Sequence, residues 1–202
     1  MLYPTHWEPP PTSTPAMPTS SVASLSSFSS ASSTSSRSPE AVYAFAAINA
    51  TTVLRCRQRL SSHHHFPELE EFIRFIIDNT DITPTSLVVA LIYLERLRLS
   101  LPREAHGDFD TPYRLFLAAI IVASKYTSDY GYLRNSVVSN LVARLGLFDA
   151  ADINTFERCF LGLLNYDLSI QKKDIHSFID RFGDQLDIVL QSEDRLVYID
   201  GL

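Results

Sequence analysis

Residues Tyr113 to Tyr126 read YRLFLAAIIVASKY, and the middle of this segment, Leu115 to Ala123, has no polar side chain on any face. A helix on a protein surface keeps one polar face, so we expect this helix to be enclosed by other helices. In an up-and-down four-helix bundle each helix would need only one apolar stripe. The segment therefore favours an all-α fold in which five helices form a globular orthogonal bundle.

Capping signals divide the rest of the chain into predicted helices. A hydroxyl side chain before proline, which is tolerated at the first helical position, opens three of them, at Ser38-Pro39, Thr83-Pro84 and Thr111-Pro112. The other helices are predicted at Pro67 to Thr80, at Arg134 to Leu145, from Asp149, and from Asp174 with an interruption near Gly183. Five of these helices fall between Pro67 and Tyr166.

The composition changes along the chain and predicts four regions. Residues 1–38 are dominated by Ser, Thr and Pro, which offer too few apolar groups to offset the entropy of ordering, so this tail is predicted to be disordered. Residues 39–65 form a flanking helix and loop. Residues 66–170 hold the five-helix domain, and residues 171–202 form a C-terminal helix and tail.

The charge and the cysteines limit the function classes. A net charge of -6 argues against a nucleic-acid surface, and the small cluster Arg55, Arg57 and Arg59 would spread over several faces of a helix. The longest apolar run, Leu115 to Ala123, is too short for a bilayer, and no secretory signal opens the chain. The two cysteines, each in a helical pattern, indicate free thiols in a reducing compartment. We expect an intracellular protein of the nucleus, the cytoplasm or both, with no membrane partner.

Two charges stand at positions where a charge is costly. Lys125 closes the apolar helix, and Glu157 lies four residues after Ile153 and four before Leu161, on the apolar side of a later helix. Lysine and glutamate are almost never fully buried unless they are paired. Two interpretations follow: an internal salt bridge between Lys125 and Glu157 that closes the domain, or a charged pair offered to another protein.

Three blocks of sequence resemble the cyclin box. They are ALIYLERL at Ala90 to Leu97, RLFLAAIIVASKY at Arg114 to Tyr126, and INTFERCFLGLLNYDLSI at Ile153 to Ile170. The resemblance spans roughly Phe66 to Ile170 and is greatest to the fungal PCL-type cyclins of the phosphate-pathway cyclin-dependent kinase. It implies a single cyclin box with flanking helices. It also implies a non-catalytic subunit that forms a heterodimer with a cyclin-dependent kinase and activates it in cell-cycle or nutrient signalling.

The same resemblance implies a kinase-binding site. In cyclins a lysine at the end of the third helix and a glutamate of the fifth hydrogen-bond the kinase backbone near its regulatory helix, and here these are Lys125 and Glu157. The apolar and aromatic residues of the family's interface correspond to Tyr126, Leu161, Tyr166 and Leu168. A charged pair ringed by such residues is typical of an interface hot spot.

The match to the family has departures. Glu95 replaces an aspartate that is common near the end of the second helix, and Glu70 to Ile76 lacks the residues with which other cyclins dock short substrate motifs. The segment after Leu168 is expected to be too short for a second cyclin fold.

Other classes of function have weaker support. His63, His64 and His65 point in different directions in a loop and have no further ligand at suitable spacing, so neither a metal nor a cofactor is expected. The sequence contains no glycine-rich phosphate loop and no nucleophile elbow, which disfavours an enzyme built on an α-bundle. A cyclin-fold adaptor in transcription is the main alternative, although the acidic balance and single box count against it.

Overall fold

The computed structural model describes residues 40–58, 65–186, 188–191 and 195–198, and most of this part of the chain is helical. The described helices are α1 Glu40–Thr52, α2 Leu69–Asp78, α3 Pro84–Ser100, α4 Thr111–Thr127, α5 Asn135–Ala143, α6 Ala150–Leu163 and α7 Lys172–Leu186. The five helices α2 to α6 match the predicted bundle, with α1 and α7 as its flanking helices. None of the described helices is both long enough and apolar enough to cross a membrane.

Helix α4 is the centre of the domain, as its sequence predicted. Every residue from Leu115 to Ala123 is buried, and α4 packs against α1, α2, α3 and α6. A helix enclosed on all sides gains nothing from a polar face, because any polar side chain there would need a buried hydrogen-bond partner. The absence of polar residues from this run therefore follows from the position of α4.

Within the described ranges, two small sheets accompany the helices. Strand β1 (Arg55–Cys56) pairs in parallel with β2 (His106–Gly107), and β3 (Ile188–Gln191) forms an antiparallel pair with β4 (Arg195–Tyr198). The expectation that Cys56 lies in a helix was wrong, because the chain leaves α1 before it and pairs with the loop after α3. The C-terminal region, for which only a helix and tail were predicted, also contains the β3–β4 hairpin.

Two of the predicted helix caps are confirmed. The Thr83 side chain accepts a hydrogen bond from the Ser86 N–H at 3.1 Å, and Pro84 begins α3. Asp149 accepts from the Asp152 N–H at 2.8 Å while the Asp152 carboxylate accepts from the Asp149 N–H at 3.1 Å. This reciprocal capping box fixes the start of α6.

The predicted cap at Thr111 was wrong. Thr111 is already the first residue of α4, and the cap position before it belongs to Asp110. The Asp110 carboxylate caps no backbone N–H, because it accepts instead from the Arg114 side chain, with the Nε atom 2.9 Å away. An ion pair one turn into the helix thus replaces the predicted hydroxyl cap.

Helix α7 also differs from its prediction. It begins at Lys172 rather than Asp174, and it runs through Gly183 without the predicted interruption. A side chain at Gly183 would place its Cβ 3.0 Å from the Ile188 carbonyl oxygen, so glycine allows β3 to lie close to α7. The predicted tail and the Ser38-Pro39 signal lie outside the described residues.

Candidate functional site

Lys125 and Glu157, the two charged residues at costly positions in the sequence, meet at one place on the surface. Lys125 lies in the last turn of α4, where a cation interacts favourably with the helix dipole, and Glu157 lies in the middle of α6. The Lys125 Nζ and Glu157 Oε1 atoms are 2.6 Å apart, with 34% of the lysine side chain and 15% of the glutamate side chain exposed. The ion pair required by the first interpretation is therefore present, and it stays within reach of a partner.

Asn135 hydrogen-bonds to both members of this ion pair, a role that was not predicted from the sequence. At the start of α5, its Oδ1 accepts from Lys125 Nζ at 2.9 Å, and its Nδ2 donates to Glu157 Oε2 at 2.6 Å. Nδ2 also lies 2.8 Å from Asn154 Oδ1. One amide thus fixes the orientation of both charged groups. The available signal was an asparagine at the start of a predicted helix, but an asparagine there is also typical of a cap.

The loop between α4 and α5 is held in place by a buried hydroxyl. Ser124, next to Lys125, is buried, and its Oγ accepts a hydrogen bond from the Leu133 N–H at 2.8 Å. This bond ties the end of the loop to the end of α4. It therefore places Asn135, two residues further along, beside Lys125.

The network leaves hydrogen-bonding capacity for a partner. An ammonium group has three N–H donors, and Lys125 uses two of them on Asn135 and Glu157. A carboxylate offers about four lone-pair positions, and within the described part of the chain Glu157 Oε1 accepts one hydrogen bond from Lys125 and Oε2 accepts one from Asn135. Both groups can therefore bind backbone carbonyl and N–H groups of another protein without giving up their mutual contact.

Two tyrosines line the chain segment after α6. Tyr126 is 44% exposed, and its hydroxyl accepts from the Ile170 N–H at 3.1 Å. Its ring meets the fully buried Tyr93 ring at an interplanar angle of 75°, and the Tyr93 hydroxyl donates to the Leu168 carbonyl at 2.9 Å. Burial raises the pKa of Tyr93 well above its ordinary value, so this hydroxyl remains a donor. Together the tyrosines fix residues 168–170 against the bundle.

Tyr166 projects from the turn that follows α6. Asn165 and Tyr166 have φ angles of 51° and 58°, in the left-handed region that bulky side chains rarely adopt. The Tyr166 side chain is 68% exposed. A tyrosine kept both strained and solvated is a candidate contact residue. We refer to Lys125, Tyr126, Asn135, Glu157 and Tyr166 together as the charged aromatic surface.

The other two predicted contact residues are less accessible. Leu161 and Leu168 are half-buried, and both pack against the hydrophobic core. Glu95 lies outside the charged aromatic surface, because both its carboxylate oxygens accept from Arg181 of α7, at 3.1 and 2.9 Å. The glutamate at this position, where aspartate is common in the family, therefore forms an ion pair that joins α3 to α7.

The described residues hold no group of three His, Cys, Asp or Glu side chains placed to share a metal ion. His63 and His64, two of the three histidines considered from the sequence, lie outside the described residues. Cys56 and Cys159 are free thiols.

Comparison with known proteins agrees with the resemblance seen in the sequence. A family model described as Cyclin matches residues 12–168. PHO85 cyclin-1 of Saccharomyces cerevisiae is 37% identical over 111 residues, which cover 54% of this chain and 38% of that protein. PHO85 cyclin-2 of the same yeast is 28% identical over 116 residues, covering 57% and 37%. Cyclin-P2-1 of Oryza sativa subsp. japonica is 32% identical over 144 residues, covering 69% and 56%.

The matched segment is thus less than two thirds of the length of each of these relatives. No solved structure matches the chain.

Proposed function

This chain belongs to the cyclin family, and from that premise we propose that it is the non-catalytic subunit of a cyclin-dependent protein kinase, which it binds and activates. PHO85 cyclins are among its relatives, so the proposed partner is a kinase of the PHO85 type. The proposed complex is a heterodimer that acts in cell-cycle or nutrient signalling, in the nucleus, the cytoplasm or both.

The Lys125, Asn135 and Glu157 network carries this proposal. A salt bridge that only closes the domain has no need of unused donors and acceptors at the surface, or of an exposed tyrosine next to its lysine in the chain. The charged aromatic surface has both. The unused Lys125 donor can bind a backbone carbonyl of the kinase, and the free lone pairs of Glu157 can accept from a backbone N–H. Tyr126 and Tyr166 supply the apolar contact area typical of an interface centre.

The proposed mechanism is the positioning of a kinase helix. A protein kinase is active only when a glutamate of its regulatory helix pairs with the lysine that holds the ATP phosphates. A cyclin surface that binds the backbone next to this helix favours the inward position by its differential affinity for the two kinase states. The cyclin contributes no reacting group to the transfer.

Co-expression of the full chain with a PHO85-type kinase tests the proposal. We expect a one-to-one complex on gel filtration and phosphorylation of a Ser-Pro peptide that neither protein alone performs. Failure to form a complex, or a complex without activity, would contradict the proposal. Recovery of nucleic acid or of transcription factors instead would support the adaptor alternative.

Replacing Asn135 by alanine is expected to weaken kinase binding about tenfold. The variant removes the amide that orients Lys125 and Glu157 but keeps both charges, so the loss is that of pre-organisation and of hydrogen bonds to charged groups. The dissociation constant is measured by isothermal titration with the kinase. Asn140→Ala, an exposed asparagine later in α5, is the matched control. Equal affinity of the Asn135 and Asn140 variants would remove Asn135 from the site.

Tyr166 and Leu168 are expected to respond differently to substitution. Tyr166→Ala should leave the melting temperature nearly unchanged and weaken kinase binding, because the side chain is exposed. Leu168→Asp should lower the melting temperature, because it places a carboxylate against the core. Thermal denaturation and kinase titration of both variants provide the measurements. A Leu168→Asp variant that melts normally would show that Leu168 belongs to the accessible surface.

A further inference from the structure

A cleft of about 400 Å³ opens between the end of α1 and the loop after α3, and three arginines from separate segments line it. They are Arg55 of β1, Arg98 of the last turn of α3, and Arg103 of the following loop. None of the three forms an ion pair with a carboxylate within the described part of the chain, and no Asp or Glu is among the described residues that line the cleft. Three arginines without an ion-pair partner among the described residues thus line one cleft in a chain of net charge -6.

The negative ends of two helices offset only part of this positive charge. Both α1 and α3 end at the cleft, and a helix C-terminus carries roughly half a negative elementary charge. The two ends together offset about one of the three positive charges. The surplus of about two matches the charge of a phosphate monoester, which is about -1.5 to -2 at neutral pH. A carboxylate is satisfied by a single guanidinium fork, whereas the three terminal oxygens of a phosphate accept from several.

The walls of the cleft indicate what carries the phosphate. Val53, Leu54, Leu101 and Pro102 give it an apolar side. An inorganic phosphate ion makes no use of such a wall, whereas the side chains beside a phosphorylated residue do. A nucleic-acid backbone requires an extended basic stripe, and three arginines in one cleft do not provide one.

We propose that this arginine cleft binds a phosphorylated serine or threonine of a partner polypeptide, with Arg55, Arg98 and Arg103 donating to the phosphate oxygens. The cleft shares no residue with the charged aromatic surface, so the inference does not depend on kinase binding. In a kinase complex, the cleft would retain polypeptides that already carry one phosphate group.

Fluorescence anisotropy with the full chain, in the absence of kinase, tests the cleft. The probes are a labelled phosphothreonine peptide with flanking apolar residues and the same peptide without the phosphate. We expect the phosphopeptide to bind at least tenfold more tightly and its binding to weaken as salt is added, since the contacts are exposed charges. Inorganic phosphate is expected to compete only at far higher concentrations. Equal binding of the two peptides, or equal affinity for inorganic phosphate and phosphopeptide, would overturn the proposal.

Single variants locate the binding. Arg98→Gln and Arg55→Gln, each on its own element, are expected to weaken phosphopeptide binding at least tenfold, because each removes charge-assisted hydrogen bonds. Arg158→Gln removes the same charge from the exposed surface of α6 and is expected to bind normally. Circular dichroism establishes which variants are folded, and the test needs only one of the two cleft variants to be folded. A loss as large in Arg158→Gln as in the folded cleft variant would attribute binding to net charge and contradict the assignment.

Discussion

Replacing Glu157 by alanine is expected to weaken kinase binding by about 2 to 5 kcal/mol, the largest effect predicted for the interface. The substitution leaves the Lys125 ammonium without its carboxylate in a contact from which the kinase excludes water. The effect on folding should be smaller, about 1 kcal/mol or less, because the ion pair of the free chain is partly exposed and screened by solvent. Kinase titration and urea denaturation measure the two quantities separately.

An equivalent ion pair elsewhere provides the control for Glu157. Arg181 and Glu95 join α7 to α3 with similar geometry, at 2.9 Å, and lie outside the charged aromatic surface. Arg181→Ala should cost a comparable free energy of unfolding and leave the kinase affinity unchanged. The double variant Lys125→Ala/Glu157→Ala should lose less than the sum of the single variants, because the two residues share one network. If Glu157→Ala destabilises the fold but binds the kinase normally, the pair is only an internal salt bridge.

The meeting of Lys125 and Glu157 was predictable because it follows from a general cost. A charge on the apolar side of a helix requires a partner, and the two helices each carried one such charge of opposite sign. Asn135 carries no comparable cost. An amide at the start of a polar helix is satisfied by water or by a backbone N–H, so its sequence position did not distinguish a cap from a bridge between two other side chains.

The strands were missed for a different reason. Strands β1 and β2 contain two residues each and pair parallel across a separation of about fifty residues, so local sequence carries no sign of them. The β3–β4 hairpin is local, but a single hairpin is marginally stable in water and depends on what it packs against. Here β3 packs against α7 and β4 against α3. The predicted interruption at Gly183 missed this arrangement, since the glycine serves a close approach of β3 and not a helix end.

Phe116→Ala is expected to lower the free energy of unfolding by about 3 to 5 kcal/mol, the largest effect predicted for the fold. Phe116 lies in the enclosed part of α4 and is fully buried. The loss is a large fraction of the roughly 5 to 15 kcal/mol that stabilises a domain. Urea denaturation followed by circular dichroism measures it. Tyr130→Ala, which truncates a 94% exposed ring in the loop after α4, should change stability by less than about 0.5 kcal/mol.

Phe116→Ala also tests whether core packing affects the kinase-binding site. Because α4 carries Lys125 in its last turn, loosening the helix should reduce kinase binding only as far as it reduces the folded fraction. At a temperature where Phe116→Ala remains folded, its kinase affinity should equal that of the unaltered chain, in contrast to Glu157→Ala. A stability loss below 1 kcal/mol would mean that α4 is not enclosed by its neighbours. A folded Phe116→Ala variant that binds the kinase as poorly as Glu157→Ala would mean that core packing sets the geometry of the Lys125 and Glu157 pair.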